Sequence, residues 1–169
     1  MKIYNNSVKL HRKGVLLMTR VDFINKASEK LKLIRIERDY TQDKMAEILG
    51  ISKKTLVQIE KSRSTLGWAG AVTLCTIFRD SEVLGMTFGG DPQDIILALA
   101  FIDYESNKNT MGGKVWWSNI ECTDHYRIQQ NIISRHFRIL DAKDRRICSS
   151  FDDEYIWKRL QELLREGKV

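Results

Sequence analysis

One proline in 169 residues, and no serine- or glycine-rich tract, leave this chain without the material of a long flexible linker. Cysteine is scarce too. Cys75, Cys122 and Cys148 are odd in number and widely spread, so they make no disulfide framework and fit a reducing compartment. The longest apolar runs are Val15 to Met18 and Ile95 to Ile102, far short of the roughly 20 residues a membrane span needs. No signal-peptide core follows the basic start. The expectation is a soluble, cytoplasmic chain with no membrane partner. Wholesale disorder is excluded by 43% hydrophobic residues beside 30% charged, enough for one medium core or two small ones.

The net charge of +6 is unevenly placed. Residues 1–90 carry 16 Lys/Arg against 9 Asp/Glu, net +7, while residues 91–169 carry 12 against 13, net −1. A basic half of that size suits a polyanion, which binds largely through phosphate neutralisation. On charge alone, a solvated surface that happens to be basic is an equal reading.

Residues 1–18 read as a poorly ordered tail or as a stretch ahead of the natural start, since Met18 offers a second initiation point. From Thr19 the pattern is helical. Thr19 and Asp22 can cap an amphipathic helix along which Val21, Ile24, Ala27, Leu31, Ile34 and Arg38 step by three and four, ending near Asp39. Thr41 heads a second helix, Gln42 to Leu49, with Met45, Ala46 and Leu49 on one face and Gly50 as its left-handed cap. Ser52 heads a third, with Leu56 and Ile59 inward. A fourth, Trp68 to Phe78, has almost no polar face and must be buried on more than one side. A short fifth, Ser81 to Thr87, leads to an expected boundary at Gly89-Gly90.

Beyond it Asp91-Pro92 is a strong helix start, and Asn107 to Gly113 reads as a loop. The hydrophobic period then drops to two around Val115 to Trp117, Tyr126 to Ile132, Phe137 to Ile139 and Ile147 to Ser149. Turns at Thr123-Asp124 and at residues 142–144 make these four strands of an antiparallel meander. A last helix, Glu154 to Arg165, carries Tyr155, Leu160, Leu163 and Leu164 as its apolar stripe. Trp116 and Trp117 are expected on opposite faces of their strand. An outward tryptophan there offers an interface, a ligand site or a stacking platform, unless helices cover both faces. Gln129, Gln130 and Asn131 need hydrogen-bond partners if buried.

Cys122, His125, His136 and Cys148 have donor chemistry for zinc, but one close pair and two isolated residues are poor ligand spacing. They are assigned to strand ends and turns. No nucleophile elbow, phosphate loop or paired-carboxylate spacing is present, so no catalytic residue, metal or cofactor is expected.

The richest pattern runs from Leu31 to Phe78: Leu33-Ile34-Arg35, then Thr41-Gln42-Asp43-Lys44-Met45-Ala46-Glu47-Ile48-Leu49-Gly50-Ile51-Ser52, then Thr55, Leu56, Ile59-Glu60 and the apolar fourth helix. It resembles the DNA-binding domain of Xre/Cro-type, lambda-repressor-like transcriptional regulators. Physical reasons accompany the match. Ala46 is small where two helices cross, Gly50 adopts a conformation other residues resist, and Ile51 and Leu56 fill the interhelical angle. Ser52 caps the third helix, so Lys53, Lys54 and Thr55, with Gln58 one turn on, form an exposed edge. Lysine can donate to guanine, and glutamine can pair with adenine. The resemblance implies that Gln42 contacts phosphate and braces the reading helix, that Arg63 is a basic phosphate or minor-groove contact, and that Arg35 and Glu60 form an interhelical ion pair. Two positions depart from the family: Ser62 replaces a usual glycine and Leu66 a common proline.

The expected fold is an all-α N-terminal helix-turn-helix domain of five helices over residues 19–90. A small α+β domain follows over residues 91–169, with a four-stranded meander and a C-terminal helix that dimerises or senses a signal. The expected partners are double-stranded DNA, a second copy of the chain and a small-molecule or protein effector at the C-terminal domain. The main rival is an antitoxin-like autoregulator whose C-terminal half binds a partner protein. A second is an enzyme fused to a DNA-binding domain.

Overall fold

The structure, a computed structural model, describes residues 18–101, 105–109 and 114–166. Five helices come first: α1 (Arg20–Glu37), α2 (Gln42–Leu49), α3 (Lys53–Glu60), α4 (Gly67–Ile77) and α5 (Glu82–Phe88). They are followed by α6 (Pro92–Ala100), β1 (Glu105–Asn109), a single 3-10 turn (Lys114–Trp116), β2 (Trp117–Cys122), β3 (Tyr126–Asn131), β4 (Phe137–Asp141), β5 (Arg145–Ser150) and α7 (Asp153–Glu166).

Side-chain caps set most helix starts. Thr19 and Asp22 close a reciprocal capping box on α1, the Thr19 hydroxyl accepting from the Asp22 amide at 3.2 Å and the Asp22 carboxylate from the Thr19 amide at 2.9 Å. Thr41, Ser52, Ser81 and Asp91 cap α2, α3, α5 and α6, with Pro92 in the first turn of α6. Among the described residues no helix is long and apolar enough to cross a membrane.

The helical core gathers Phe23, Ala27, Leu31 and Ile34 of α1 with Met45, Ala46, Leu56, Ile59, Leu74, Leu84 and Phe88. Val21, the first residue of that expected stepping, is 64% exposed. Counting back from Ala27 and Leu31 at 3.6 residues per turn lands on Phe23, which takes the buried place. Met18, the last residue of the expected tail, is also buried here, whereas residues 1–17 lie outside the described residues. The nearly all-apolar α4 packs against α1, α2 and α6, which is why it lacks a polar face. Ile95 and Ile96 of α6 complete the same core.

The sheet has the order β1-β5-β4-β3-β2, antiparallel throughout. β2 to β5 form the expected meander. β1 is an additional edge strand where a loop was expected over Asn107 to Gly113, so that expectation is corrected for residues 107–109; residues 110–113 lie outside the described residues. The β1 sequence Glu-Ser-Asn-Lys-Asn has no apolar alternation, and its pairing with β5 rests on backbone hydrogen bonds. Trp116 and Trp117 do not share a strand: Trp116 ends the 3-10 turn, where its carbonyl accepts from the Ile132 amide at 2.9 Å, and Trp117 opens β2.

α7 covers one face, laying Ile156, Leu160 and Leu163 on Ile128, Ile139 and Cys148. On the other side α6 packs against β5, where Asp94 pairs with Arg146. At the end of β3, Asn131 hydrogen-bonds the helical half.

Candidate nucleic-acid interface

The α2-turn-α3 unit is built by its turn. Gly50 adopts φ 65° and ψ 32°, a left-handed conformation that costs glycine little. It lets the Gly50 and Ile51 amides donate to the carbonyls of Glu47 and Ala46 at 3.1 and 3.0 Å. Ser52 then opens α3, its hydroxyl accepting from the Thr55 amide at 3.0 Å and lying 2.8 Å from the Thr55 hydroxyl. Leu56 and Ile59 are buried, so the opposite edge of α3 is left to solvent. Lys53, Lys54 and Thr55 are exposed on it, and Gln58 is half-buried one turn further on.

The charge on this edge runs against helix stability. A helix N-terminus carries partial positive charge and is stabilised by acids. The first turn of α3 has none and presents two lysines instead. Two ammonium groups beside free helical amides cost stability in the isolated protein and favour an anion. Asp43 of α2 answers part of this: its carboxylate accepts from Lys53 Nζ at 2.7 Å, with both side chains more than half exposed. Among the described residues Lys54 has no such partner.

Behind the edge lies an interhelical network. Arg35 of α1 donates from Nε to Glu60 Oε1 at 2.6 Å, from Nη2 to Glu60 Oε2 at 3.3 Å, and from Nη1 to the Tyr40 carbonyl at 2.9 Å. Gln42 Nε2 donates to Glu60 Oε2 at 2.9 Å. The Glu60 side chain is only 5% exposed. Burial pushes its carboxyl upward, but the hydrogen bonds from Arg35 and Gln42 outweigh burial and hold it below the ordinary value of 4.5. The network ties α1, α2 and α3 together, and it commits the Gln42 side-chain donor to Glu60.

Lys61 and Arg63 extend the basic surface past the end of α3; both are exposed, and the Arg63 amide donates to the Gln58 carbonyl at 2.9 Å. Ser62 and Leu66, the two positions that depart from the resemblance, each have a local setting. Ser62 sits at φ 56°, in the left-handed region that favours glycine. Leu66 uses its amide, which proline lacks, to donate to the buried Ser28 hydroxyl at 3.0 Å.

Asp43 and Lys61 were absent from the sequence-based site. The helix-end charge conflict at Lys53-Lys54 was the signal that could have pointed to a nearby acid. The four residues with zinc chemistry are not gathered. Cys148 lies in the sheet–α7 core, Cys122 is exposed, and His136 is on the other side of the sheet. Among the described residues no three such side chains are grouped.

Residues 28–87, a little over a third of the chain, match the family model described as a helix-turn-helix domain. The matched span runs from within α1 to within α5 and contains the whole α2-turn-α3 unit. A search of curated proteins and a search of solved structures each found no match.

Proposed function

From a chain that carries a helix-turn-helix domain over residues 28–87, we propose a sequence-specific, double-stranded DNA-binding transcriptional regulator of the Xre/Cro type that inserts α3 into the major groove. The observation that carries this reading is the N-terminal edge of α3, where a serine cap is followed by exposed Lys53, Lys54 and Thr55 with Gln58 one turn on, and no acid in the first turn. Lys53, Lys54 and Gln58 reach base edges, Lys61 and Arg63 neutralise phosphate, and the Arg35–Glu60–Gln42 network holds the angle at which α3 enters. One such helix reads only a few base pairs, so the working unit is a homodimer on a two-fold site, with residues 91–169 supplying the second contact or a sensing surface.

The test is selection from a random duplex library with the full chain, repeated with Gln58→Ala and Arg63→Gln. A site with two inverted halves is expected. Gln58→Ala should relax preference at one position per half-site, a change of about 1 to 3 kcal/mol in discrimination, whereas Arg63→Gln should weaken all sequences alike. If Gln58→Ala leaves both affinity and the selected site unchanged, α3 is not in the groove.

A further inference from the structure

The sheet face opposite α7 carries a row of polar side chains, three of them hydrogen-bonded in series and the fourth, Ser149, without a hydrogen-bond partner among the described residues. Strand register sets Asn119, Gln129, Arg138 and Ser149 side by side on β2, β3, β4 and β5. Directly paired residues point to one side, so this row faces away from Ile128, Ile139 and Cys148. Gln129 Nε2 donates to Asn119 Oδ1 at 2.8 Å, and Arg138 donates from both Nε and Nη2 to Gln129 Oε1, at 2.9 and 2.8 Å. The Arg138 guanidinium lies over the Trp117 ring, 3.7 Å from its centroid.

Arg138 is only 4% exposed, and it belongs to none of the ion pairs among the described residues. Buried arginine is ordinarily paired with an acid. Four acids beside this sheet are engaged elsewhere, Asp141 with Arg145, Asp144 with Arg127, Asp94 with Arg146 and Asp91 with Arg79, and Glu121, paired in register with Ile128, lies on the α7 side. Two neighbouring side chains are also incomplete. Ser149 is 1% exposed and its hydroxyl has no hydrogen-bond partner among the described residues. His136, equally buried, meets the Trp117 ring edge-on at 4.9 Å between centroids; its Nδ1 lies 2.7 Å from the Ser134 hydroxyl, while Nε2 has no partner among the described residues. With the Ser134 hydroxyl donating to Nδ1, the Nε2 proton of the neutral ring is a second available donor. Burial, and then the Arg138 charge, push this imidazole down to about 3, so the neutral ring is the form at neutral pH.

Buried polar atoms in folded proteins are nearly always satisfied. Here a guanidinium outside the ion pairs of the described residues, a hydroxyl and an imidazole Nε2 share one face. We propose that this face binds a small molecule bearing an oxyanion, a carboxylate or a phosphate, with Arg138 as its anchor and the Ser149 hydroxyl and His136 Nε2 as flanking donors. Nε and Nη2 already donate to Gln129 Oε1, which leaves the Nη1 side of the guanidinium for an oxygen of either group. Asn119 is exposed and Trp117 and Gln129 are half-buried, so the row opens toward the β2 edge. The proposal stands apart from the DNA-binding reading, because none of its residues belongs to residues 28–87.

The test titrates the ¹⁵N-labelled full chain with inorganic phosphate in one arm and succinate in the other, following the Trp117 indole and Arg138 Nε–H resonances. Saturable shifts at both reporters are expected in at least one arm, and the arm that saturates identifies the oxyanion. Arg138→Gln should weaken that binding about tenfold or more. Ser149→Ala removes a hydroxyl that has no partner to lose among the described residues, so it should fold normally and still weaken binding severalfold. The proposal is overturned if neither arm saturates. It is equally overturned if Ser149→Ala binds as the unaltered chain does, which decides the matter even where Arg138→Gln fails to fold.

Discussion

Asn131 Nδ2 donates to the Gly89 carbonyl at 2.6 Å, joining the end of β3 to the end of α5 across 42 positions of sequence. Asn131 is 1% exposed, and its Oδ1 accepts from the Ile133 and Ser134 amides at 2.9 and 3.0 Å, so the same side chain shapes the β3–β4 turn and seats it on the helices. Gly89 admits this approach. Its φ is 73°, and a Cβ there would stand 2.5 Å from Asn131 Oδ1 and 2.9 Å from Ile133 Cβ.

Gly89→Ala therefore meets two penalties, the left-handed backbone and the collision. Gly50→Ala, at φ 65° with nothing within 4 Å, meets only the first. Chemical denaturation should show Gly50→Ala costing about 1 to 2 kcal/mol and Gly89→Ala clearly more. Asn131→Ala, which strands the Gly89 carbonyl and two turn amides, should cost about 1 to 3 kcal/mol. Equal losses for the two glycine variants would show that the Asn131 contact does not hold in solution.

Arg35 and Glu60 should behave as a coupled pair. Removing either alone leaves a largely buried charge and should destabilise by about 3 kcal/mol, while the double variant should cost less than the sum of the two. The pH dependence follows from direction. Glu60 titrates below 4.5 when folded, so the unfolded chain takes up its proton first as pH falls. The pair's contribution is complete above the ordinary carboxylate range and is lost as pH drops through and below it. Glu60→Gln should flatten that acid limb in urea titrations at stepped pH. A limb of unchanged slope would assign the effect to other carboxylates.

The helical half was legible because its boundaries are written in side-chain chemistry. Thr19, Thr41, Ser52, Ser81 and Asp91 each cap a helix, and Gly50 ends one. The exposed edge of α3 followed from the same signals, a cap and a two-residue buried stripe. Four features were not legible. β1 has no apolar alternation to mark it, and a 3-10 turn separated Trp116 from its expected strand. The Asn119–Gln129–Arg138–Ser149 row depends on register, which bulges between Asn119 and Glu121 and between Ile139 and Leu140 reset. A slip of one residue would turn each member to the other face, and local sequence does not encode where the slips fall. The Asp43–Lys53 pair likewise depends on the crossing of two helices.

Ser62 is a removable strain. It is exposed, and at φ 56° a side chain pays a backbone penalty that glycine avoids. Ser62→Gly should raise stability by about 0.5 to 1 kcal/mol after glycine's extra unfolded-state entropy is set against the relief. The other departure should fail in the opposite sense: Leu66→Pro deletes the amide that Ser28 accepts from and leaves that buried hydroxyl short of a donor, costing about 1 to 3 kcal/mol. Thermal unfolding of the two variants side by side checks both signs, and a destabilised Ser62→Gly would mean that the serine makes a compensating contact.

Asp43 should act as a brake on DNA binding if α3 enters the groove as proposed. Its carboxylate holds Lys53 Nζ at 2.7 Å on an exposed surface, where the pair adds little stability. On a phosphate backbone, however, that carboxylate is a like charge, and it competes for a lysine the DNA would otherwise engage. Asp43→Asn should leave folding stability within about 0.5 kcal/mol. It should also strengthen binding to specific and random duplexes alike and steepen the dependence of log affinity on log salt by up to about one unit. Lys53→Gln should lower affinity and make the slope shallower, and in the double variant the gain from Asp43→Asn should shrink, because the competed-for ammonium is gone. Fluorescence anisotropy at stepped salt separates the cases. An Asp43→Asn variant that binds more weakly, with stability unchanged, would mean that Asp43 positions Lys53 for its contact, and the pair would then be part of the reading surface.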